Sequence, residues 1–379
     1  MMKRLLFLFL FIAFSPLAFA ADRYWCGGGS SVNWNATGPT NWCTASNGVG
    51  TDASVPGSTD AVIFDGVGVG ASNSTLSAST EIVSLDMTGY TNTLTHSNSQ
   101  TLTINGLLFI LSSGMTYLSS SASAVIFTST SGTTLITTNG KNIRTSTFNG
   151  AGGTFQLQDD WVGSPVVVGS NTTTLTAGTL DCNGHSFSTG ILSTSNSNTR
   201  AISCAGGTVN LFGSGNVLAA STTTGLTVDF SNNGVLGINN TSAASATLQL
   251  GTVSSAFGDV VISPGGSGAV IFQGTNTYNR IVSVGTKNIT FPASVTTTLT
   301  AVPIISLATI ISSSAGSAAT LSLSSGSVCI DRSSIKDITA TGGATWYAQN
   351  STSVSGNTGI TFSACPSAAG GGGSFTFVQ

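Results

Sequence analysis

Charged residues are scarce in this sequence, where Asp, Glu, Lys and Arg together make up only 6% of the chain. About a quarter of the residues of an ordinary soluble protein are charged. The 10 Lys and Arg residues form no cluster, and a protein that binds nucleic acid needs clustered cations to neutralise phosphates. Nucleic acid is therefore excluded as a partner.

The sequence also lacks the short motifs of common catalytic and metal-binding sites. It contains no G-x-S-x-G, no H-E-x-x-H, no phosphate-binding P-loop and no C-x-x-C. Its two histidines, His96 and His185, lie in unrelated contexts. We therefore expect no catalytic residue, no metal and no cofactor.

One catalytic alternative stays open, because hydrolysis of a glycosidic bond needs only two carboxyl groups at a defined separation. Stacked coils can bring together residues that are distant in sequence. The candidates for such a lateral pair are Asp159, Asp160, Asp181, Asp229, Asp259, Asp331, Asp337 and the single glutamate, Glu81.

The amino-terminal segment has the pattern of a secretory signal peptide. Lys3 and Arg4 precede an apolar run, and A-F-A at 18–20 supplies the small residues of a cleavage site. The run is too short for an ordinary membrane span, and no later segment is long enough to be one. The sequence predicts an exported chain, extracellular or on the cell surface, with residues 1–20 removed and no membrane span.

Six cysteines are present, and an even number in an exported chain favours disulfides. Proximity in sequence predicts the pairs Cys26–Cys43, Cys182–Cys204 and Cys329–Cys365.

The mature sequence has no long amphipathic helix pattern. It contains short segments in which apolar and polar residues alternate, bounded by Gly, Asn and Ser, as is typical of strands and turns. Examples are G-T-L-D-C-N-G at 178–184, G-T-V-N-L-F-G at 207–213 and A-T-L-Q-L-G at 246–251. Such segments recur at intervals of about twenty residues, sometimes thirty, which is too short for a propeller blade or an immunoglobulin-like domain. The pattern predicts an all-β fold, a parallel β-helix (β-solenoid) whose outward Ser, Thr and Asn form polar ladders.

The stretch T-L-D-C-N-G-H-S-F at 179–187 places an aspartate, a cysteine and a histidine within five positions. If Leu180 points inward, Cys182 does too, whereas Asp181 faces solvent. Asn183-Gly184 is a turn signal, after which His185 begins another strand. We therefore interpret the stretch as one turn of a scaffold, with a metal site as the alternative.

Both ends of the predicted β-helix need caps, because a terminal coil exposes apolar interior and unpaired strand edges. Trp25, Trp34 and Trp42 lie between and beside two cysteines, which suits a structural cap; the alternative is a platform of exposed rings for sugar stacking. The predicted organisation is a signal peptide at 1–20, an amino-terminal Trp/Cys cap at 21–66, the β-helix at 67–340, a carboxyl-terminal cap at 341–366, and a Gly-rich linker with a terminal strand at 367–379.

The opening W-C-G-G, the later N-W and the run D-A-V-I-F-D at 60–65 resemble the start of secreted and phage-type surface proteins of the pectate-lyase-like, right-handed parallel β-helix superfamily. The segments at 178–190, 198–213 and 337–352 are similar to coils of the same group. The resemblance covers most of the mature chain and implies the fold. Related β-helix enzymes include polysaccharide lyases and hydrolases, but their catalytic residues do not map onto positions here.

These observations predict a non-catalytic, structural or adhesive protein that makes many weak contacts along a repetitive surface. The alternative is a protein that binds or cleaves extracellular or cell-surface polysaccharide, with Trp161, Trp346 and Tyr347 as ligand-binding residues. The alternation of Phe375 and Phe377 after four glycines predicts a strand that could add to a sheet edge and promote self-association.

Overall fold

A computed structural model describes residues 21–29, 31–36, 41–46, 51–66, 72–120, 122–163, 171–252 and 257–366. The described chain is all-β, contains no α-helix and forms a parallel β-solenoid of about 12 turns, as the sequence predicts. The predicted signal peptide at 1–20 and the predicted linker and strand at 367–379 lie outside these residues. The predicted boundaries at 66/67 and 340/341 stay predictions.

Each complete coil contributes strands to three faces, which we call the first, second and third face in chain order. Four long strands run from the first face into the second: β5 (Thr80–Asp86), β7 (Thr101–Ile110), β11 (Thr145–Leu157) and β13 (Thr172–Asp181). The other first-face strands are β9 (Ala124–Phe127), β15 (Ile191–Ser193), β18 (Gly215–Ala220), β21 (Ala246–Leu250), β23 (Val270–Phe272), β26 (Asn288–Phe291), β29 (Thr309–Ser312), β32 (Ser334–Lys336) and β35 (Thr352–Ser355).

The remaining strands form the second and third faces and the amino-terminal cap. On the second face lie β3 (Ala61–Ile63), β10 (Thr133–Thr137), β16 (Arg200–Ser203), β19 (Leu226–Asp229), β24 (Thr277–Tyr278), β27 (Thr296–Leu299), β30 (Ala319–Leu323) and β33 (Ile338–Gly342). On the third lie β4 (Ser74–Leu76), β6 (Thr93–His96), β8 (Thr116–Ser119), β12 (Trp161–Val162), β14 (Ser186–Thr189), β17 (Thr208–Leu211), β20 (Val235–Ile238), β22 (Asp259–Ile262), β25 (Ile281–Val284), β28 (Ile304–Ser306), β31 (Ser327–Asp331), β34 (Thr345–Gln349) and β36 (Ile360–Thr361). The cap contains β1 (Asp22–Trp25) and β2 (Trp42–Cys43).

The core is built from inward residues that stack on their counterparts in the next coil. On the second face, Phe155 pairs with Leu180, Leu180 with Ile202, and Ile202 with Val228. All four side chains are buried. Because residues alternate along each strand, the residues on either side of this apolar ladder point outward and form two columns that are mostly polar.

The amino-terminal end is closed by an aromatic cluster. The ring of Trp42 lies 5.2 Å from that of Trp25 and 5.4 Å from that of Trp34, and all three rings pack against Phe64. The three tryptophans are at most 1% exposed. The alternative of an exposed sugar-stacking platform is therefore wrong, because the three rings are buried where they cover the first coil.

Three disulfides are formed: Cys26–Cys43, Cys182–Cys204 and Cys329–Cys365. The predicted pairing is confirmed for all six cysteines. Three disulfides in one chain indicate an oxidising compartment outside the cytoplasm.

One of the few cationic side chains, Arg200, is buried and links two adjacent coils by hydrogen bonds. Arg200 is 1% exposed and has no carboxylate partner among its contacts. Its guanidinium donates to the backbone carbonyls of Thr194, Asn198, Thr222 and Thr224. A buried charge must be fully hydrogen-bonded to be tolerated, and here those bonds join the loops of two adjacent coils.

A buried histidine lies on the third face near the amino-terminal end. His96 is 1% exposed, its Nδ1 lies 2.8 Å from the Tyr117 hydroxyl, and its Nε2 lies 2.9 Å from the carbonyl oxygen of Gln100. A carbonyl oxygen only accepts, so Nε2 carries the proton and Nδ1 accepts from the phenol. The imidazole is thus held neutral, and its burial lowers its pKa to about 4.

Candidate functional site

The stretch at 179–187 is one turn between the second and third faces. Leu180 and Cys182 are fully buried and Asp181 lies outside, as the alternation predicts. Asn183 and Gly184 both have positive φ, 49° and 79°, which makes the tight turn that their sequence indicates. The backbone N–H of Asn183 donates to Asp181 Oδ1 over 2.9 Å, so the carboxylate stabilises this turn.

His185 does not meet Asp181 across the turn. Its Nδ1 lies 3.7 Å from Oδ1 of Asp160, a residue of the preceding coil, and both side chains are well exposed. Among the described residues, no group of three or more His, Cys, Asp or Glu side chains is arranged to hold a metal ion. The scaffold interpretation of this stretch accounts for each of its contacts.

We expect Asp181→Ala and His185→Ala to leave the metal content of the protein unchanged. Asp181→Ala should lower stability by about 1 kcal/mol, because it removes hydrogen bonds of an exposed turn. Elemental analysis of the two variants and the wild type tests this. Stoichiometric zinc or iron in the wild type that is lost in either variant would contradict it.

Two of the three predicted ligand-binding aromatics lie in the core. Trp161 is 0% and Trp346 is 2% exposed. The Trp161 ring stacks on Phe187 at 5.6 Å, and Trp346 is paired with Ile360 of the last coil. Neither ring offers a face on which a sugar could stack, which corrects their assignment as binding residues. Tyr347 alternates with Trp346, is half-buried and lies on the outer side of the third face.

Each carboxylate proposed for a lateral pair accepts hydrogen bonds that hold a turn or join coils. The donors are Asn105 for Glu81, the backbone of Thr138 and Asn139 for Asp159, Ser186 for Asp160, Asn183 and Gln156 for Asp181, Ser231 for Asp229, Asn279 and Arg280 for Asp259, Asn350 and Arg332 for Asp331, and Gly316 for Asp337. None of the contacts in the described part of the chain joins two of these carboxylates.

A cleft of about 600 Å³ lies where the second face meets the third. On the second face, β19 and β24 do not pair with each other, and the cleft lies at this interruption. Residues 253–256 of the coil between these two strands are outside the described residues. Its lining comes from four successive coils: Val228–Gly234, Phe257 and Gly258, Asn279, and Thr300. Three spacings of ~4.8 Å make it about 14 Å long, parallel to the solenoid axis.

Two stacked glycines leave one side of the cleft without side chains. A Cβ on Gly258 would lie 1.9 Å from the carbonyl oxygen of Gly234, so no other residue fits there. Next to them, Asn232 and Asn233 are consecutive residues with positive φ, 53° and 64°. The amides of two asparagines thus join the lining at a turn that few other residues could form.

The cleft carries one exposed negative charge. The backbone N–H of Ser231 donates to Asp229 over 2.9 Å and lowers the pKa of that carboxyl below its ordinary value. The neighbouring Asp259 is neutralised by Arg280, whose Nε and Nη2 lie 2.8 and 2.6 Å from Oδ2. Amides, a hydroxyl and one carboxylate suit a neutral, hydroxyl-rich ligand.

Sequence reasoning missed this cleft. The available signal was the run F-S-N-N-G at 230–234, one residue longer than the matching turn at 204–207. No helix long and apolar enough to cross a membrane occurs in the residues described. No protein-family model, curated protein or solved structure matches this chain.

Proposed function

We propose that this chain is a secreted, non-catalytic adhesive protein of the extracellular space or cell surface. As part of this proposal it belongs with the right-handed, pectate-lyase-like β-helix proteins that its sequence resembles. The observation that carries the adhesive role is an exposed apolar stripe along the otherwise polar third face.

The stripe follows the register of the third face. Val261 pairs with Val282, and Val282 with Ile304. Two coils further on, Tyr347 pairs with Cys329 of β31, the neighbour of β28, and both residues are half-buried on the outer side of the sheet.

The stripe is most open to solvent on two adjacent coils, those of β25 and β28. Ile304 is 43% exposed, and its neighbours Val284 and Val302 are 44% and 39% exposed. A contiguous exposed apolar patch on a flat sheet marks an interaction surface more often than scattered single residues do. Hydroxyl and amide groups flank it, such as Ser306 and Gln349.

A flat stripe with polar margins fits an extended polymer, for which polysaccharide is our candidate. Apolar side chains and the Tyr347 ring would contact the apolar faces of sugars, and the flanking groups would bind their hydroxyls. Each coil adds one weak contact, so binding strength would rise with polymer length.

The test is binding of the purified mature chain to a glycan array and to insoluble polysaccharides, with an assay for released reducing sugars. We expect retention on a polymer without release of reducing ends, and weak competition by short oligosaccharides. Ile304→Asn should weaken retention. Ile311→Asn, which changes an outward isoleucine of the first face, is the matched control. Release of reducing ends, or equal loss in both variants, would contradict the proposal.

The cleft supports a second candidate, binding or cleavage of a carbohydrate chain at the junction of the second and third faces. Asp229→Asn should then abolish binding of a soluble oligosaccharide. Asp181→Asn is its control, because Asp181 makes the same turn two coils upstream and is not part of the cleft lining. Unchanged calorimetric titrations for both variants would exclude this candidate.

A further inference from the structure

The second face near the carboxyl-terminal end carries a regular array of hydroxyl side chains. In β24, β27, β30 and β33, one outward column contains Thr277, Thr298, Ser322 and Thr341. The neighbouring column contains Thr296, Thr320, Thr339 and Thr358. Seven of these eight residues are threonines. We call the eight residues the threonine array.

The array is evenly spaced because its strands pair without a register shift. Parallel strands place equivalent residues about 4.8 Å apart across the sheet, and alternate residues about 6.6 Å apart along each strand. The inward residues beneath it, such as Thr297 and Leu321, are 2% exposed and hold the strands in place. By contrast, the first face contains register shifts in β5–β7, β18–β21 and β32–β35.

The hydroxyls at the centre of the array face solvent. No protein group is hydrogen-bonded to the side chains of Thr277, Thr296, Thr298 or Thr320 among the described contacts. At its edge, Thr358 donates to Thr339 over 3.0 Å, along the column. The array contains no charged side chain and no aromatic ring.

We propose that the threonine array binds ice. A crystal of water presents hydrogen-bonding groups at fixed, short repeats, and a rigid two-column array of hydroxyls can match such a repeat with several bonds at once. The threonine methyl groups lie between the hydroxyls and do not hydrogen-bond to liquid water. Contact with ice would remove their apolar surface from liquid water, which is favourable. The absence of charge matters, since ions keep a hydration shell that does not fit a lattice.

A crystalline polysaccharide is the other ordered surface with suitable repeats. It is less favoured here because stacking on sugar rings uses exposed aromatic side chains, and the array has none. The ice proposal depends only on this face and not on the proposed adhesive role of the third face. The two can therefore fail separately.

The test uses the purified mature chain in a nanolitre osmometer and in an ice-recrystallisation assay. We expect a gap between melting and freezing temperatures, ice crystals with shaped faces, and inhibition of recrystallisation. Thr320→Tyr, in the middle of the array, should remove most of this activity. Thr290→Tyr places the same bulky ring outward on the first face and should leave it unchanged.

Circular dichroism and thermal unfolding establish that both variants fold. Thr320→Val, which keeps the methyl group and removes the hydroxyl, should lose less activity than Thr320→Tyr. Wild-type protein without a freezing gap and without recrystallisation inhibition would overturn the proposal. Equal ice activity of the wild type and Thr320→Tyr would also overturn it. So would a wild-type protein that binds crystalline cellulose, if Thr320→Tyr removes that binding and leaves the ice activity unchanged. Ile304→Asn, which tests the third face, should leave the ice activity intact.

Discussion

Replacing Trp42 with alanine is expected to lower the free energy of unfolding by about 3–5 kcal/mol, the range for removing a large buried aromatic. Trp42 is fully buried, touches the rings of Trp25, Trp34 and Phe64, and donates from Nε1 to the carbonyl of Trp34 over 2.7 Å. Its loss would leave a cavity directly above the first coil.

Urea unfolding followed by tryptophan fluorescence and circular dichroism measures this effect. Trp42→Phe, which keeps most of the ring volume, is the control. Its free energy of unfolding should fall clearly less than that of Trp42→Ala. Because each coil is stabilised by its neighbours, damage at the cap should also appear as early hydrogen exchange in the first coils. Full stability of Trp42→Ala would show that the cluster does not act as a cap.

Acidification from pH 7.5 to pH 4 is expected to destabilise the protein through His96. The folded imidazole has a pKa of about 4, lowered by burial, whereas an unfolded histidine titrates at about 6.5. Between these values the unfolded state binds a proton that the folded state does not. Stability therefore falls as pH decreases through this window, by about 3 kcal/mol in total, and the effect ends below pH 4.

Urea unfolding at several pH values between 4 and 7.5 measures this slope. In His96→Gln the amide can replace the imidazole as a partner of Tyr117 and the Gln100 carbonyl, but it does not titrate. Its absolute stability is expected to be lower at every pH, but the change of its stability with pH across this window should be smaller than in the wild type. A variant with the wild-type slope would assign the acid sensitivity to other groups.

The sequence predicts the fold and the inside-outside pattern well, because both depend on local alternation. Leu180, Asp181 and Cys182 take the faces that a period of two assigns to them, and the disulfide follows since stacked turns place Cys182 over Cys204. Trp346 illustrates the limit. It alternates with Tyr347, and only the structure determines which of the two rings points inward.

The cleft and the threonine array were not predictable, because each depends on register between coils of unequal length. The segments T-T-T-L at 296–299, T-L-S-L at 320–323 and T-A-T at 339–341 are visible in the sequence. Their alignment into columns follows from turns that absorb the extra residues between them. The cleft has the same origin, since it depends on how the longer turn at 230–234 stacks on its neighbours.

The Cys182–Cys204 disulfide gives the solenoid a mechanical property. The two cysteines are 22 residues apart and join adjacent coils near the middle of the stack. When the molecule is pulled by its ends, the residues between them stay shielded from force while the bond is intact. Reduction would release about 70 Å of additional contour length, so the extensibility of the protein under load would depend on the redox state of its surroundings.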